Sequence, residues 1–251
     1  MTRLLEPPLA KAVLGSLAFV IVLGVGSRAS VGQGVTVTPN EAARRVDIAV
    51  GGQPFTSYIW PERLKKPVLY PIRAASGTLV TRGWPLDPRP GERVDHPHHV
   101  GLWLNYESVN GIDFWNNSDA LKPEEIARMG TIVHRRIISA KGGDDRGELV
   151  TEMDWLLPGA KPILHELAQF AFSGAATTRT IDRISTFTAL DERVVFADMK
   201  DGMFGMRVAR QLEQPSNEPQ VFIDAAGRAT KVASARVTCG KSTMPTRSPA
   251  P

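Results

Sequence analysis

From Val35 onward the apolar residues of this chain recur at every second position far more often than at the helical spacing of 3.6. A period of two sends alternate side chains to opposite faces of an extended strand, so the pattern commits most of the chain to half-buried β-structure. Val46, Ile48 and Val50 alternate with Arg45, Asp47 and Ala49, and Gly51-Gly52-Gln53-Pro54 then turns the chain into residues 55–60, a first hairpin. Similar runs occupy 78–81, 100–106, 131–139, 149–156, 164–172, 180–190, 194–197 and 206–212, several of them separated by glycine-rich turns such as 141–145. One short helix is predicted over 123–129, where Pro123 suits the first turn, Glu124 and Glu125 complement the helix dipole and Gly130 stops it. The expected fold is all-β: an antiparallel β-sandwich, supersandwich-like, with strands joined in series rather than through βαβ units.

The two ends differ in kind from the middle. Residues 1–29 read as a secretory signal, with Arg3 and Lys11 for positive charge, an apolar run over 12–24 and a small-x-small cleavage site at Ser27-Arg28-Ala29. That run is shorter than the roughly 20 residues a membrane span needs, and no other segment is apolar enough to cross a bilayer. The expectation is therefore an exported protein, periplasmic or extracellular, with no stable membrane span after signal removal. Residues 30–224 are expected to form one sandwich domain. Residues 225–251 carry no aromatic residue and no acid and read as a basic, disordered tail, with a final strand over 231–238 as the alternative.

The basic pI of about 9.4 resides in those ends. The formal net charge is +4; the signal holds +2 (Arg3, Lys11 and Arg28 against Glu6) and the tail +5, which leaves −3 for residues 30–224. A domain with that balance is no phosphate-binding surface, so nucleic acid is excluded as a partner. The single cysteine, Cys239, cannot form an internal disulfide, and stability must come from the core.

Chemistry concentrates in Asp95-His96-Pro97-His98-His99-Val100-Gly101-Leu102-Trp103-Leu104-Asn105-Tyr106, followed by Val109-Asn110-Gly111-Ile112-Asp113-Phe114-Trp115. Three of the five histidines fall within four positions. Pro97 forbids regular helix and biases His96 toward extended backbone, so His96 and His98 are expected to project from one side. Beyond them, alternation sorts Val100, Leu102, Leu104 and Tyr106 to a core face and His99, Gly101, Trp103 and Asn105 to the other. Imidazole, indole and amide beside a glycine suit a polar, sugar-sized ligand with one apolar surface. Asn110-Gly111 is a strong hairpin turn, which should fold 112–115 back and bring Asp113 near the histidines.

The cluster admits three readings. His96 and His98, with His99, Asp95 or Asp113, could ligate a transition metal. Alternatively His96, His98, His99 and Asp113 act without metal as proton-transfer and binding groups, with Arg82, Arg93, Trp103, Asn105 and Trp115 contacting substrate. In the third reading the imidazoles only cap turns. Other polar residues carry weaker signals: Asp198 and Lys200 lie in a turn, His165 and Glu166 are expected on a solvent face, and His134 has only basic neighbours. No glycine-rich phosphate loop, G-x-S-x-G elbow or CxxC is present, which removes nucleotide-dependent and serine-hydrolase chemistry.

The segment from Arg82-Gly83-Trp84-Pro85-Leu86-Asp87 through the histidine motif to Trp115, with Asp182-Arg183-Ile184 and Arg207-Val208-Ala209-Arg210-Gln211-Leu212, resembles the family catalogued as methane oxygenase PmoA-like, a domain of unknown function. The resemblance runs from about Val46 to Gly227. It implies an exported bacterial protein from organisms that degrade polysaccharides, with a β-sandwich reminiscent of sugar-binding supersandwich enzymes. The membrane monooxygenase subunit of that name spans the bilayer many times, so the resemblance implies a fold rather than that reaction. Relatives continue with a further aromatic and histidine-containing strand region where this chain has its basic Pro/Ser/Ala tail, as a truncated or frameshifted reading frame would. The leading expectation is a carbohydrate-active or sugar-binding protein (an epimerase, lyase or hydrolase if an enzyme), with a copper- or iron-dependent oxygenase and a non-catalytic glycan-binding module as alternatives.

Overall fold

A computed structural model describes residues 34–213 and the two short strands β11 (Phe222–Ile223) and β12 (Ala229–Thr230). The expected signal segment lies outside the described residues, as does the basic tail apart from β12, which pairs antiparallel with β11. The antiparallel sandwich expected from alternation is what the chain forms. Strands β1 (Val35–Asn40), β2 (Arg45–Val50), β3 (Gln53–Ile59), β4 (Val68–Leu69), β5 (Leu102–Tyr106) and β10 (Gly202–Met206) make one sheet, in the order β1-β2-β3-β4-β5-β10. The second sheet is a meander of long strands, β6 (Thr131–Lys141), β7 (Arg146–Leu156), β8 (Pro162–Gly174) and β9 (Arg179–Ala189). All pairings within these two sheets are antiparallel. Among the described residues no helix is long and apolar enough to cross a membrane.

The apolar face of each sheet closes on the other. Val46, Ile48, Val50, Phe55 and Tyr58 from the first sheet and Leu149, Met153, Trp155, Ile163, Leu164, Phe170 and Phe172 from the second share one buried cluster. Burying each large side chain contributes about 1.5–3 kcal/mol, which makes this cluster the main source of stability in a domain without disulfides. The predicted helix shrinks to one turn, α1 (Pro123–Ile126), with Pro123 at its start and Glu125 accepting from the Lys122 amide at 2.9 Å.

Several expected strands are shorter than the pattern implied. Residues 78–81 and 194–197 form only isolated bridges, and 206–212 ends in a 3-10 turn at Arg210–Leu212. Conversely β1, β4 and β10 carried too short or too polar a pattern to stand out. At β8, alternation separates the two residues expected to share the solvent face: His165 faces outward beside Asp154 at 2.9 Å, while Glu166 points inward and is fully buried. His134, which looked unremarkable, packs inward too, its ring stacked on Trp60 and its Nδ1 3.1 Å from the Tyr58 hydroxyl.

A second, smaller core of Val68, Tyr70, Val100, Trp103 and Trp115 lies on the opposite face of the first sheet. Here one expectation fails: Val100 belongs with Trp103, not with Leu102 and Leu104. The cause is Gly101, whose φ of +60° interrupts the alternation just before β5. A Cβ at Gly101 would stand 2.1 Å from the Leu69 carbonyl oxygen, in a backbone region unfavourable to side chains. Gly101→Ala should therefore cost more than about 1 kcal/mol, read as a lower urea midpoint with unchanged m-value.

Candidate functional site

The histidine segment is not extended. His96 has φ +47°, and the His99 amide donates to the His96 carbonyl at 2.9 Å, so residues 96–99 form a tight turn and not the start of a strand. A residue before proline ordinarily takes extended backbone, and the turn departs from that by holding His96 at positive φ. The turn gathers all three rings. His99 stacks between His96 (4.8 Å between centroids, 9° between planes) and Trp103 (5.0 Å, 20°), and His98 stands edge-on to His99 at 4.3 Å. The stack runs from His96, whose side chain is 53% exposed, down to Trp103, 2% exposed.

What holds the turn is Arg82, fully buried beneath it. Its Nη1 donates to Asp95 Oδ1 at 2.7 Å and to the Arg93 carbonyl at 3.1 Å; its Nη2 donates to the carbonyls of His96 and His99 at 3.0 and 3.2 Å. The four Nη hydrogens are thereby committed to the loop, so Arg82 is a clamp on the histidine turn rather than the substrate contact expected of it. Arg207 donates to Asp95 Oδ1 at 2.7 Å and pairs with Glu213 at 3.1 Å. Against the burial that would raise it, Arg207 and the Arg82 hydrogen bond hold the Asp95 carboxyl below its ordinary range. The other oxygen of Asp95 lies 3.2 Å from Nδ1 of His96. A carboxylate on Nδ1 fixes the ring orientation and favours the tautomer with its lone pair on Nε2.

The remaining expected site residues divide. Asp113 does not reach the histidines: its Oδ1 accepts from the amides of Trp115 and Asn116 and its Oδ2 from the Asn116 side chain, closing an Asx turn. Asp95 is the carboxylate that partners the cluster. Asn105 is fully buried, its amide donating to the Phe114 carbonyl at 2.8 Å, so it braces the returning segment that Asn110 and Gly111 turn with positive φ. Trp103 has His99 over it and the β10 backbone at Gly205 against its ring edge, and Trp115 packs edge-on to both Trp103 and His99. Both indoles form the floor of the site and leave no open face for a sugar ring. Arg93 sits on the outer side of the loop with Nε 3.4 Å from Glu213.

Lys66 is a member that sequence reasoning missed. Buried to 5% exposure, it donates from Nζ to the His98 carbonyl at 2.8 Å and lies 5.5 Å from the Trp103 ring centre. Burial lowers its amine to about 7, partly opposed by Asp113. His98 and His99 are likewise depressed, to about 4 and about 3, by burial first and then by neighbouring cations including Lys66. Both imidazoles are therefore neutral at pH 7. Unfolding releases each to its ordinary value of 6.5, so between that value and the folded one the unfolded chain binds more protons and stability falls as pH falls. For Lys66 the same sign gives stability that rises with pH between about 7 and 10.5. Thermal melts should show Tm falling from pH 6.5 to 5, above the carboxylate range. The fall should lessen in His98→Phe/His99→Phe, leaving the share due to His134, which burial also lowers to about 4, and the alkaline rise should flatten in Lys66→Met.

A metal ion does not fit this donor set. Metal ligation requires nitrogens that converge, whereas His96 and His99 lie face to face and His98 edge-on. Among the described residues no group of three or more His, Cys, Asp or Glu is arranged to hold a metal.

Residues 45–249 match the model of a family of unknown function, DUF6807. The chain belongs to that family. The match takes in the clamp, the histidine turn and both sheets apart from β1, and it continues past Gly227 through the basic segment. No curated protein and no solved structure matches the chain.

Proposed function

We propose that this member of the DUF6807 family is an exported carbohydrate-active or sugar-binding protein whose ligand site is the turn of His96, His98 and His99, with His96 as the acid–base group. The observation that carries the reading is the Asp95–His96 pair: an exposed imidazole oriented through Nδ1 by a carboxylate that two arginines keep ionised. A third group that orients a base is the arrangement general acid–base catalysis requires, and no such orientation is needed for a ring that merely caps a turn. Neutral His98 and His99 beside it offer donors and acceptors without net charge, which suits an uncharged, hydroxyl-rich ligand. The resemblance to PmoA-like proteins of polysaccharide-degrading bacteria points to the same ligand class.

Turnover of a panel of oligosaccharides, followed by mass spectrometry, tests the proposal. Asp95→Asn keeps the shape but removes the charge that orients His96, and should lower kcat/KM by about 100-fold or more. Unchanged turnover in Asp95→Asn would remove His96 from the acid–base role. Binding without turnover, lost in His98→Ala, would favour the non-catalytic module.

A further inference from the structure

His98 also lines a narrow cleft, together with Arg63, Lys65, Lys66, Pro97, Asn117 and Ser118 among others. Its volume, about 10 Å³, accommodates one oxygen atom with its hydrogens. Three buried polar atoms of its lining have no hydrogen-bond partner among the described residues: Nε2 of His98, Oδ1 of Asn117 and Oγ of Ser118. Asn117 and Ser118 are 3% and 6% exposed, so bulk water does not satisfy them. Buried polar atoms are seldom left unpaired, and three around one oxygen-sized space point to a shared partner.

The chemistry of the lining selects that partner. Asn117 donates its amide nitrogen to the Gly130 carbonyl at 2.8 Å; a carbonyl only accepts, so the amide orientation is fixed and the unpartnered atom is an acceptor. Lys66, charged or neutral, keeps an N–H to donate beyond the one used on the His98 carbonyl. Ser118 and the neutral His98 ring can each take either part. A halide or carboxylate oxygen has no proton for Asn117, and a cation would meet Lys66, Arg63 and Lys65. Water satisfies all four, and a hydroxyl, with one proton and two lone pairs, satisfies three: it donates to Asn117 and accepts from Lys66 and Ser118.

We infer that this cleft is a single-oxygen subsite for a ligand hydroxyl, held by Lys66, Ser118 and Asn117. The inference rests on the histidine turn being a ligand site, and it narrows the ligand to one that presents an uncharged hydroxyl there.

The test is a crystal structure of the full chain grown with sodium bromide, then soaked with methyl glycosides of glucose, galactose and mannose. The expected result is one oxygen in the cleft within hydrogen-bonding distance of Lys66, Asn117 and Ser118, no anomalous bromide signal there, and replacement of that oxygen by a glycoside hydroxyl. In solution, Ser118→Ala should weaken binding of the same glycoside roughly tenfold. Bromide in the cleft would overturn the inference by making it an anion site. A glycoside seated at His96 with the cleft oxygen undisturbed would overturn the hydroxyl subsite while leaving the histidine site standing. No glycoside near the histidines at all would remove both.

Discussion

Replacing Arg82 by methionine should lower the unfolding free energy by about 3 kcal/mol, roughly 1 kcal/mol for each of three loop carbonyls left without a donor, since the part-exposed Asp95 keeps Arg207. Methionine keeps much of the volume but none of the donors. The carbonyls of Arg93, His96 and His99 lose their shared partner, and Asp95 keeps only Arg207 and His96. The loss falls on the loop before the sandwich. Urea unfolding should show a lower midpoint, and hydrogen exchange should show residues 93–99 opening ahead of β6–β9, because the turn has no sheet ladder of its own. Arg82→Lys should recover little, since a point charge cannot reproduce four hydrogen bonds in a planar fork. Native-like stability in Arg82→Met would mean that ring stacking alone holds the turn.

A loss of similar size is expected from Glu166→Ala, at the other end of the structure. Glu166 is fully buried between the sheets, accepting from Trp155 Nε1 at 2.9 Å and from Arg183 Nη2 at 2.7 Å. Removing it strands a largely buried guanidinium over Phe170, at a cost of about 3–5 kcal/mol. The partner substitution separates this from simple loss of volume. Glu166→Met/Arg183→Met removes both charges, so the double variant should be more stable than Glu166→Ala, with a coupling measurable in a double-mutant cycle. Additive effects would show that the two side chains do not act as a pair.

The sequence disclosed those parts of the molecule that rest on local periodicity. Alternation separated Leu102, Leu104 and Tyr106 from Trp103 and Asn105 because the strand β5 repeats every two residues, and Asn110-Gly111 announced its turn because both positions need positive φ. The histidines were expected together and are together, but through a turn that Pro97 and Arg82 impose rather than along an extended strand. Val100 changed sides because one glycine resets the register, an effect that periodicity averages away. The Asn110-Gly111 turn was expected to fold Asp113 back onto the cluster, whereas its carboxylate is taken up by the amides that follow it. Lys66 and Arg207 do not stand out as site residues, because each lies among other basic residues of its segment, Arg63 and Lys65 or Arg210, and becomes significant only when β4 and β10 are laid against β5. Glu166 could have been read as internal from strict alternation with His165; the presumption that charged residues face water concealed it.

The five histidines provide a direct test of the proposed ligand site, since three belong to it and two, His134 and His165, lie on β6 and β8 of the other sheet. The measurement is the imidazole nitrogen and carbon-bound proton shifts of all five by NMR, recorded while neutral oligosaccharides are titrated into the folded chain at pH 7. A carbohydrate site at the turn predicts saturable shifts of His96, His98 and His99, with His134 and His165 unchanged, and loss of the His96 and His99 shifts in His98→Ala. Saturable binding that moves other resonances and leaves the three cluster imidazoles where they were would contradict it.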